Sequence, residues 1–391
     1  MALHREPSSE SLQALVASCQ GHPLKIFDAA RSQDRFVHAC APMVRYSKLA
    51  FRQTVHQFGV DLCWTPMILA KEFNRNSFAR DSDLSVSTLP RQPPTIIQFG
   101  ANCPTELSRA ASLAACCVSG IDLNCGCPQS WACASCLGAA LMSRRELVRD
   151  MVMETRARLV RDGWLVGFDD SQVASPLGRS VSVKIRLHSD LRRTIDFVDT
   201  LVGLGGSRGQ RLVDWITIHP RTRNTPSSVP IDTEALQLLT SRYAATLPIL
   251  LSGDVFDLAD LPIVPHHASS TAPDAATTAA PKPSNTGLAG FMSARGLLAN
   301  PALFAGHSSC PWLALETFMC NAARSPLPFK LLLHHVVQMC APGMGADKTA
   351  LLPKRDRASL VKIDNMLHLV DFLDQKCDEL TGRQGGLRRH L

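Results

Sequence analysis

Hydrophobic residues in this chain form short runs that are separated by longer amphipathic stretches. Because eight short strands alternating with helices are typical of parallel βαβ units, the pattern predicts a TIM (β/α)8 barrel, a fold of the α/β class. An open doubly wound sheet is the alternative, although no G-x-G-x-x-G motif follows the first strand. The predicted strands lie at 36–41, 61–64, 95–100, 121–123, 181–186, 215–218, 247–251 and 289–292. The predicted helices between them lie at 47–57, 104–118, 146–161, 194–204 and 232–243.

Both ends of the chain and one internal segment depart from this alternation. Residues 1–35 are predicted to be a flexible leader with room for one short helix, so that the barrel spans 36–305. A stretch at about 262–287 is rich in Ala, Thr, Ser and Pro, which predicts a disordered insertion within the barrel. After Phe304 only helical patterns follow, at 313–323, 329–339 and 359–376. Residues 306–391 are therefore predicted to form a small helical domain.

The composition excludes several classes of protein. The chain has 391 residues, of which 45% are hydrophobic and 19% charged, and this suffices for a large hydrophobic core. No run approaches the ~18 apolar residues of a membrane span, and residues 1–20 lack the apolar core of a secretory signal, so no membrane partner is expected. The fourteen cysteines follow no disulfide framework, which favours a reducing cytoplasmic or nuclear compartment. The net charge of +7 permits a polyanionic partner, and a monomer is expected.

Polar residues follow the predicted strands at the points where the strands end. In a closed parallel barrel the carboxyl ends of all strands meet at one rim, where barrel enzymes carry their chemistry. The rim is therefore predicted to hold Met43, Gln98, Asn124, Cys127, Lys184, His219, Arg221, Ser252, Gly253, Asp254 and Arg295. Outside the barrel, Lys354, Arg355, Arg357 and Lys362 form a basic cluster. We predict that this cluster lies at the start of the last long helix and contacts phosphates.

The loop after the fourth predicted strand is the main candidate for catalysis. The strand ends at Leu123, and Gly126 and Pro128 then break it, because glycine permits unusual φ angles and proline fixes φ and lacks a donor. Cys127 lies in this loop and is the predicted catalytic residue. An unperturbed cysteine is still protonated near neutral pH and can serve as a general acid.

Seven segments, in order along the chain, resemble motifs of the tRNA-dihydrouridine synthases. They are A-P-M-V at 41–44, Q-F-G-A-N at 98–102, D-L-N-C-G-C-P-Q at 122–129, V-K-I-R at 183–186, H-P-R-T at 219–222, S-G-D at 252–254 and S-A-R-G-L-L-A-N-P at 293–301. The resemblance covers residues 37 to about 305, and it is greatest to the eukaryotic branch that acts on the tRNA D-loop uridines 20a and 20b. The C-terminal segment resembles the family only in being helical.

The resemblance implies an enzyme that reduces uridine in tRNA, with FMN as cofactor and NADPH or NADH as reductant. It assigns the flavin to Pro42, Met43, Val44, Gln98, Lys184, His219, Ser252, Gly253, Asp254, Ala294 and Arg295. Cys127 would protonate C5 of the uridine while a hydride reaches C6, and Asn124 would orient the uracil amide edge. Arg221 and the basic cluster at 354–357 would contact the tRNA, with 306–391 as the tRNA-binding domain. The residue types agree, since the Lys184 cation suits the negative charge of a reduced flavin.

Three positions depart from the family pattern. Ser252 stands where the relatives commonly have Asn, which shortens a hydrogen-bonding side chain in the flavin turn. In the loop after Cys127, Cys136 replaces a glycine and Leu137 replaces an aromatic residue. If that glycine requires a positive φ, Cys136 is predicted to be strained.

Three other interpretations stay open from the sequence. A metal could be held by a C-x-C-x5-C-x2-C pattern, although this spacing is unusual for zinc or iron–sulfur sites and no metal is expected; its members are Cys125, Cys127, Cys133 and Cys136. The chain could instead be an FMN-dependent barrel oxidoreductase that reduces a small molecule. It could also be a non-catalytic RNA-binding relative that has retained the fold.

Overall fold

The computed structural model describes residues 22–87, 92–203, 211–262 and 282–382. Its strands are β1 (Val37–Cys40), β2 (Leu62–Leu69), β3 (Thr95–Gly100), β4 (Gly120–Cys125), β5 (Ser180–Leu187), β6 (Ile216–Thr222), β7 (Ile249–Ser252) and β8 (Gly290–Ser293). They form one closed barrel in chain order, which confirms the predicted TIM barrel. Residues 1–21 of the predicted leader, 263–281 of the predicted insertion and 383–391 lie outside the described residues.

The register of the strands sorts apolar and polar side chains into separate rows. One buried apolar row consists of the directly paired residues Leu123, Val183, Ile216 and Ile249. Such rows are expected where parallel strands are covered on both faces. Two polar rows cross β4 and β5; one contains Gln98, Asp122 and Ser182, and the other pairs Asn124 with Lys184. The polar rows therefore bring together residues that are distant in the sequence.

Helices occupy most of the intervals between the strands, with ends within a few residues of the predicted ones. Pro104 begins one of them, and Asp232 caps another by accepting a hydrogen bond from the Ala235 amide at 2.9 Å. In chain order the helices that precede β8 are α1 (Leu24–Ser32), α2 (Leu49–Gln57), α3 (Ala70–Arg75), α4 (Ser77–Asp83), α5 (Pro104–Ala114), α6 (Ser130–Ala134), α7 (Arg145–Arg161), α8 (Asp170–Ala174), α9 (Leu191–Val202), α10 (Thr233–Tyr243) and α11 (Pro283–Thr286).

After β8 the chain is helical, as the sequence predicts. The helices are α12 (Arg295–Ala299), α13 (Trp312–Arg324), α14 (Phe329–Cys340), α15 (Lys354–Leu360) and α16 (Met366–Thr381). No helix in the described part of the chain is long and apolar enough to cross a bilayer.

The chain divides into two compact units, and this division differs from the predicted boundary at residue 305. The first unit comprises Met1–Val37, Met67–Gly253 and Pro262–Met292. The second comprises His38–Pro66, Asp254–Leu261 and Ser293–Leu391, so residues 38–66 share a unit with the C-terminal helices.

In the first unit, α1 is packed against the chain and is not part of a flexible leader. Its residues Leu24, Phe27 and Ala30 are buried, and the rings of Phe27 and Trp215 lie 5.2 Å apart. Ahead of the helix, His22 Nε2 lies 3.3 Å from Asp214 Oδ1. The sequence predicts a flexible leader up to residue 35 because a stripe of three apolar positions is a weak signal without knowledge of its partner.

In the second unit, α2, α13 and α14 share a buried core. Asn321 Nδ2 donates to Thr54 Oγ1 at 3.0 Å, and the imidazole of His335 lies 5.0 Å from the ring of Phe51 and 4.9 Å from that of Phe318. His335 is fully buried, and this burial lowers its pKa to about 3. The ring is therefore neutral at physiological pH and packs as a core residue.

The last long helix predicted at 359–376 is two helices, α15 and α16. The break occurs because Asn365 caps α16, accepting a hydrogen bond from the His368 amide at 2.9 Å. The predicted position of the basic cluster was therefore wrong. Lys354, Arg355 and Arg357 lie on the short helix α15, ahead of the break.

Candidate active site

A row of hydrogen-bonded side chains links the strands β3, β4 and β5. Asp122 is fully buried, and its two carboxylate oxygens accept hydrogen bonds from Gln98 Nε2 at 2.7 Å and Ser182 Oγ at 2.6 Å. Gln98 Oε1 in turn accepts a hydrogen bond from Asn124 Nδ2 at 2.8 Å. The row fixes the orientation of the Asn124 amide. Both ends of the buried Gln98 amide therefore have partners within the protein. The direct flavin contact that the resemblance implies for Gln98 stays a prediction.

Asn124 shapes the loop that carries Cys127. Its Oδ1 accepts hydrogen bonds from the amides of Gly126 at 3.1 Å and Cys127 at 2.8 Å, a local turn typical of asparagine. The Cys127 carbonyl accepts a hydrogen bond from the Ala139 amide at 2.9 Å. Both peptide groups of Cys127 are thereby held. The geometry gives Asn124 a positioning role, and its predicted contact with uracil stays a prediction.

Two residues of this loop have positive φ angles. Gly138 has φ +60°, and a Cβ there would lie 2.6 Å from the Cys127 carbonyl oxygen, so the position admits no side chain. Cys136 has φ +56° although it is not a glycine. The predicted strain at Cys136 is therefore confirmed.

The Cys127 thiol is in a state that suits a proton donor. The residue is half-buried, and burial raises the pKa of its thiol above the ordinary value, with Cys133 acting in the same direction. The Gln129 amide and the Arg186 guanidinium lower the pKa, but the net shift is upward. The thiol is consequently protonated at neutral pH and has a proton to give.

Lys184 places an unpaired positive charge on the strand next to this loop. It pairs with Asn124 in the register of β4 and β5, and its half-buried ammonium has no hydrogen-bond or ion-pair partner in the described part of the chain. Burial lowers its pKa to about 8; the charge of Arg186 contributes to this, and Asp122 opposes it. A half-buried cation with free donors is suited to an electron-rich ligand.

His219 and Arg221 form a second hydrogen-bonded group, within the last four residues of β6. The guanidinium can only donate, so Arg221 Nη1 donates to His219 Nε2 at 3.0 Å. Arg221 is buried, and its Nε also donates to the Val229 carbonyl at 2.7 Å. Arg221 thus holds His219 and the loop after β6, and its predicted contact with tRNA stays a prediction.

Beneath His219, the turn after β7 requires a glycine. Gly253 has φ +122°, and a Cβ on it would come within 2.9 Å of both the His219 ring and the Ile231 side chain. Ser252, one of the departures from the family pattern, is the buried last residue of β7.

The remaining predicted flavin residues belong to the second unit. Asp254 Oδ1 lies 4.0 Å from the guanidinium of Arg295, which also lies 5.4 Å from the ring centre of Phe256. Met43 donates its amide hydrogen to Ser47 Oγ at 2.9 Å. The roles in cofactor binding stay predictions for the second-unit residues Pro42, Met43, Val44, Asp254, Ala294 and Arg295.

The predicted tRNA contacts on α15 are also in the second unit. Lys354 and Arg355 are exposed and have no side-chain partner in the described residues, whereas Arg357 is partly buried. The exposed pair is available to a polyanion.

Three further residues of the candidate site, Asp122, Ser182 and Arg186, are not among those predicted from the sequence. Arg186 donates from Nε to the Gly126 carbonyl at 2.8 Å and from Nη1 to the Thr222 carbonyl at 2.9 Å, so it joins the Cys127 loop to the end of β6. A signal was present in the alternation of Ser182, Lys184 and Arg186, since residues two apart lie on one face of a strand.

No group of three or more His, Cys, Asp or Glu side chains within 22–87, 92–203, 211–262 and 282–382 is arranged to hold a metal ion. Of the cysteines that suggested a metal, Cys125 is fully buried, and its burial raises the pKa of its thiol well above the ordinary value.

Comparison with known proteins identifies the family. The model of the dihydrouridine synthase family (Dus) matches residues 39–350. A human relative, tRNA-dihydrouridine(20a/20b) synthase (NAD(P)+)-like, is 36% identical over 317 residues, which are 81% of this chain and 84% of the relative. The mouse relative of the same name is 38% identical over 334 residues, covering 85% and 87%. The tRNA-dihydrouridine(20a/20b) synthase (NAD(P)+) of Schizosaccharomyces pombe is 36% identical over 356 residues, covering 90% and 91%. This chain belongs to the dihydrouridine synthase family.

Proposed function

We propose that this protein reduces uridine to 5,6-dihydrouridine in the D-loop of tRNA, at the positions 20a and 20b named for its relatives. FMN is the proposed cofactor and NADPH or NADH the proposed reductant. One observation carries the proposal. The strand register places Lys184, whose ammonium has no partner among the described residues, beside Asn124. The Asn124 side chain in turn binds the backbone of the loop that carries the protonated Cys127 thiol.

The side chains of the first unit fit a flavin. The half-buried Lys184 has donors free for an electron-rich ring edge, and the glycine at 253 leaves room for the imidazole of His219 above it. A side chain at 253 would displace that ring. Lys184 and His219 would therefore hold the ring system, while Ser252 and Gly253 would border it. The second-unit residues Asp254, Ala294 and Arg295 are proposed for the phosphate tail, as the family resemblance implies.

When bound, FMN supplies the hydride that reaches C6 of the uracil. The protein provides the proton: the Cys127 thiol donates it to C5, and the thiolate that remains faces the charge of Arg186. Asn124 and Arg186 keep the thiol in place through the backbone of the loop. The target base must leave its stack, and this costs little in a loop that is already splayed.

The proposal extends to the cellular location of the protein. We propose a reducing cytoplasmic or nuclear location, because a free thiol as proton donor and a tRNA substrate both suit such a compartment. The monomeric state expected from the sequence stays a prediction.

Mapping of dihydrouridine in tRNA tests the function. Purified protein is incubated with NADPH and with tRNA from a strain that lacks the modification, and the visible absorbance of the protein is recorded to detect bound flavin. We expect dihydrouridine at 20a or 20b with wild-type protein. The Cys127→Ala variant should lose product by at least about 100-fold, the lower range for a general acid, while retaining flavin. The Cys133→Ala variant, which removes another half-buried thiol from the same loop, should retain most activity.

Three outcomes would contradict the proposal. Undiminished product from Cys127→Ala would remove the assigned proton donor. Bound flavin with NADPH oxidation on a small enone, but without dihydrouridine in tRNA, would favour a small-molecule oxidoreductase. Purified protein that binds tRNA without flavin absorbance would indicate a non-catalytic relative.

A further inference from the structure

A cavity adjoins the segment that follows the Cys127 loop. It has a volume of about 370 Å³, within the range of small-molecule sites, and lies in the first unit. Its walls are the 3-10 helical segment Gly138–Ser143, the end of β5 and the residues that follow it, and the residues that follow β6. Ala139, whose amide binds the Cys127 carbonyl at 2.9 Å, lines this cavity. Cys127, Lys184 and Gln98 are not among its lining residues, all of which the structure describes.

The lining of this cavity is strongly basic. Arg186, Arg193 and Arg223 contribute guanidinium groups, and none of the described lining residues is acidic. The side chains of Arg193 and Arg223 have no hydrogen-bond or ion-pair partner among the described residues. Two acids lie three residues from Arg193 in the sequence. Asp190 caps α9 through the Arg192 amide at 3.0 Å and lies 3.5 Å from the Arg192 guanidinium, and Asp196 lies 3.3 Å from the Arg145 guanidinium. Two guanidinium groups are thus free to bind an anion.

The walls of the cavity are held by hydrogen bonds on both sides. His188 Nε2 lies 2.8 Å from the Met142 carbonyl and therefore carries the hydrogen, while the His188 amide donates to Thr194 Oγ1 at 2.9 Å. On the opposite side, Arg186 bridges the carbonyls of Gly126 and Thr222. The cavity is therefore preformed, and its shape is coupled to the loop that presents Cys127.

We propose that this cavity binds a backbone phosphate of the tRNA next to the reacting uridine, an inference that rests on the proposed function. Arginine donors suit phosphate oxygens, and the Ser143 and Ser189 hydroxyls in the lining can add hydrogen bonds. The position agrees, because the cavity shares a wall with the Cys127 loop. NADPH also carries phosphate groups, so the test has to separate the two sources.

Substitution of the two free arginines tests the site. We would measure binding of fluorescently labelled tRNA to the full-length holoprotein by anisotropy, at several salt concentrations, for Arg193→Gln, Arg223→Gln and the double variant. The double variant should bind on the order of tenfold more weakly, with a salt slope shallower by about 1, because the loss of one phosphate contact removes roughly one unit. Arg192→Gln is the matched control, since this neighbouring side chain is 91% exposed and lies outside the cavity. It should bind nearly as wild type.

A second measurement separates the sources of phosphate. The dependence of the flavin reduction rate on NADPH concentration is followed without tRNA. A weaker apparent affinity for NADPH in the double variant, with tRNA binding intact, would overturn the proposal in favour of the dinucleotide. Equal tRNA affinity in the double variant and wild type would also overturn it.

The inference and the proposed function fail in different ways. Wild-type protein that forms dihydrouridine with no effect of the double substitution would contradict only the cavity. Wild-type protein that forms none, yet binds tRNA through Arg193 and Arg223, would contradict only the reaction.

Discussion

Cys136 has a backbone conformation that glycine adopts at lower cost. Its φ of +56° lies in the left-handed region, which costs an L-residue about 1–2 kcal/mol. Glycine relieves this cost but loses about 0.5–1 kcal/mol more conformational entropy on folding. We therefore predict that Cys136→Gly raises the free energy of unfolding by about 0.5–1 kcal/mol, measured by urea titration with tryptophan fluorescence.

The same substitution three residues earlier provides the control. Cys133 lies in α6 and is not among the residues with positive φ. In a helix glycine costs about 1 kcal/mol relative to alanine and a few tenths relative to cysteine, so Cys133→Gly should slightly lower the free energy of unfolding. Stabilisation by both variants, or by neither, would show that the left-handed backbone at 136 does not limit stability.

Residue types at the predicted strand ends gave polar candidates for a site, but they did not show which of these side chains bond to the protein itself. Asn124, Lys184 and His219 lie on the neighbouring strands β4, β5 and β6, Asn124 next to last in its strand and the other two three residues before the last. Asn124 and Arg221, however, direct their polar groups to the protein itself. A sequence shows that a side chain is polar, but not whether the backbone nearby has donors and acceptors left to satisfy. Asp122 was missed because its partners Gln98 and Ser182 become neighbours only through the strand register.

At the scale of elements, the buried imidazole of His335 makes the packing of α14 sensitive to pH. Its folded pKa is about 3, against about 6.5 in an unfolded chain. Between these values the unfolded state binds a proton that the folded state does not, so the free energy of unfolding falls as the pH falls below 6.5. We predict that His335 contributes a loss of about 2 kcal/mol between pH 7 and pH 5. His335→Leu should remove this loss, measured by urea titration at both pH values.

The adjacent histidine is a matched control for this prediction. His334 is on the same helix but exposed. His334→Leu should keep most of the pH dependence of the wild type, because the buried imidazole of His335, which causes the loss, is still present. If His335→Leu destabilised as steeply as wild type on acidification, the buried imidazole would not be the cause.

Elements with a strong apolar pattern were predictable, and those that depend on a cap or on a partner were not. The strands of the barrel are buried on both faces and therefore form apolar runs that stand out in the sequence. The division of 359–376 into α15 and α16 depends on the side chain of Asn365, which looks like any polar residue on a solvated helix face. The packing of helix α1 was missed for the same kind of reason, since its three buried residues gain meaning only from what they cover.

At the scale of the whole molecule, the net charge of +7 is modest, so the location of the charges has to provide any affinity for tRNA. Lys354 and Arg355 on α15 are exposed and without side-chain partners among the described residues. We predict that Lys354→Gln with Arg355→Gln weakens tRNA binding by roughly three- to tenfold, uniformly across tRNA sequences, and makes the salt slope shallower by about 2. Binding is measured by fluorescence anisotropy between low and physiological salt.

A control that removes the same net charge separates location from total charge. Arg158 and Arg161 lie on α7 and are paired with Asp162 and Glu154, so Arg158→Gln with Arg161→Gln also lowers the net charge by two. Charges beyond a Debye length of about 10 Å at 0.1 M salt are largely screened, so a change in total charge alone has little effect on affinity. The α15 variant should therefore lose affinity and salt slope while the α7 variant keeps both. Equal losses in the two variants would mean that tRNA responds to the overall charge of the protein, and α15 would then not be a binding surface.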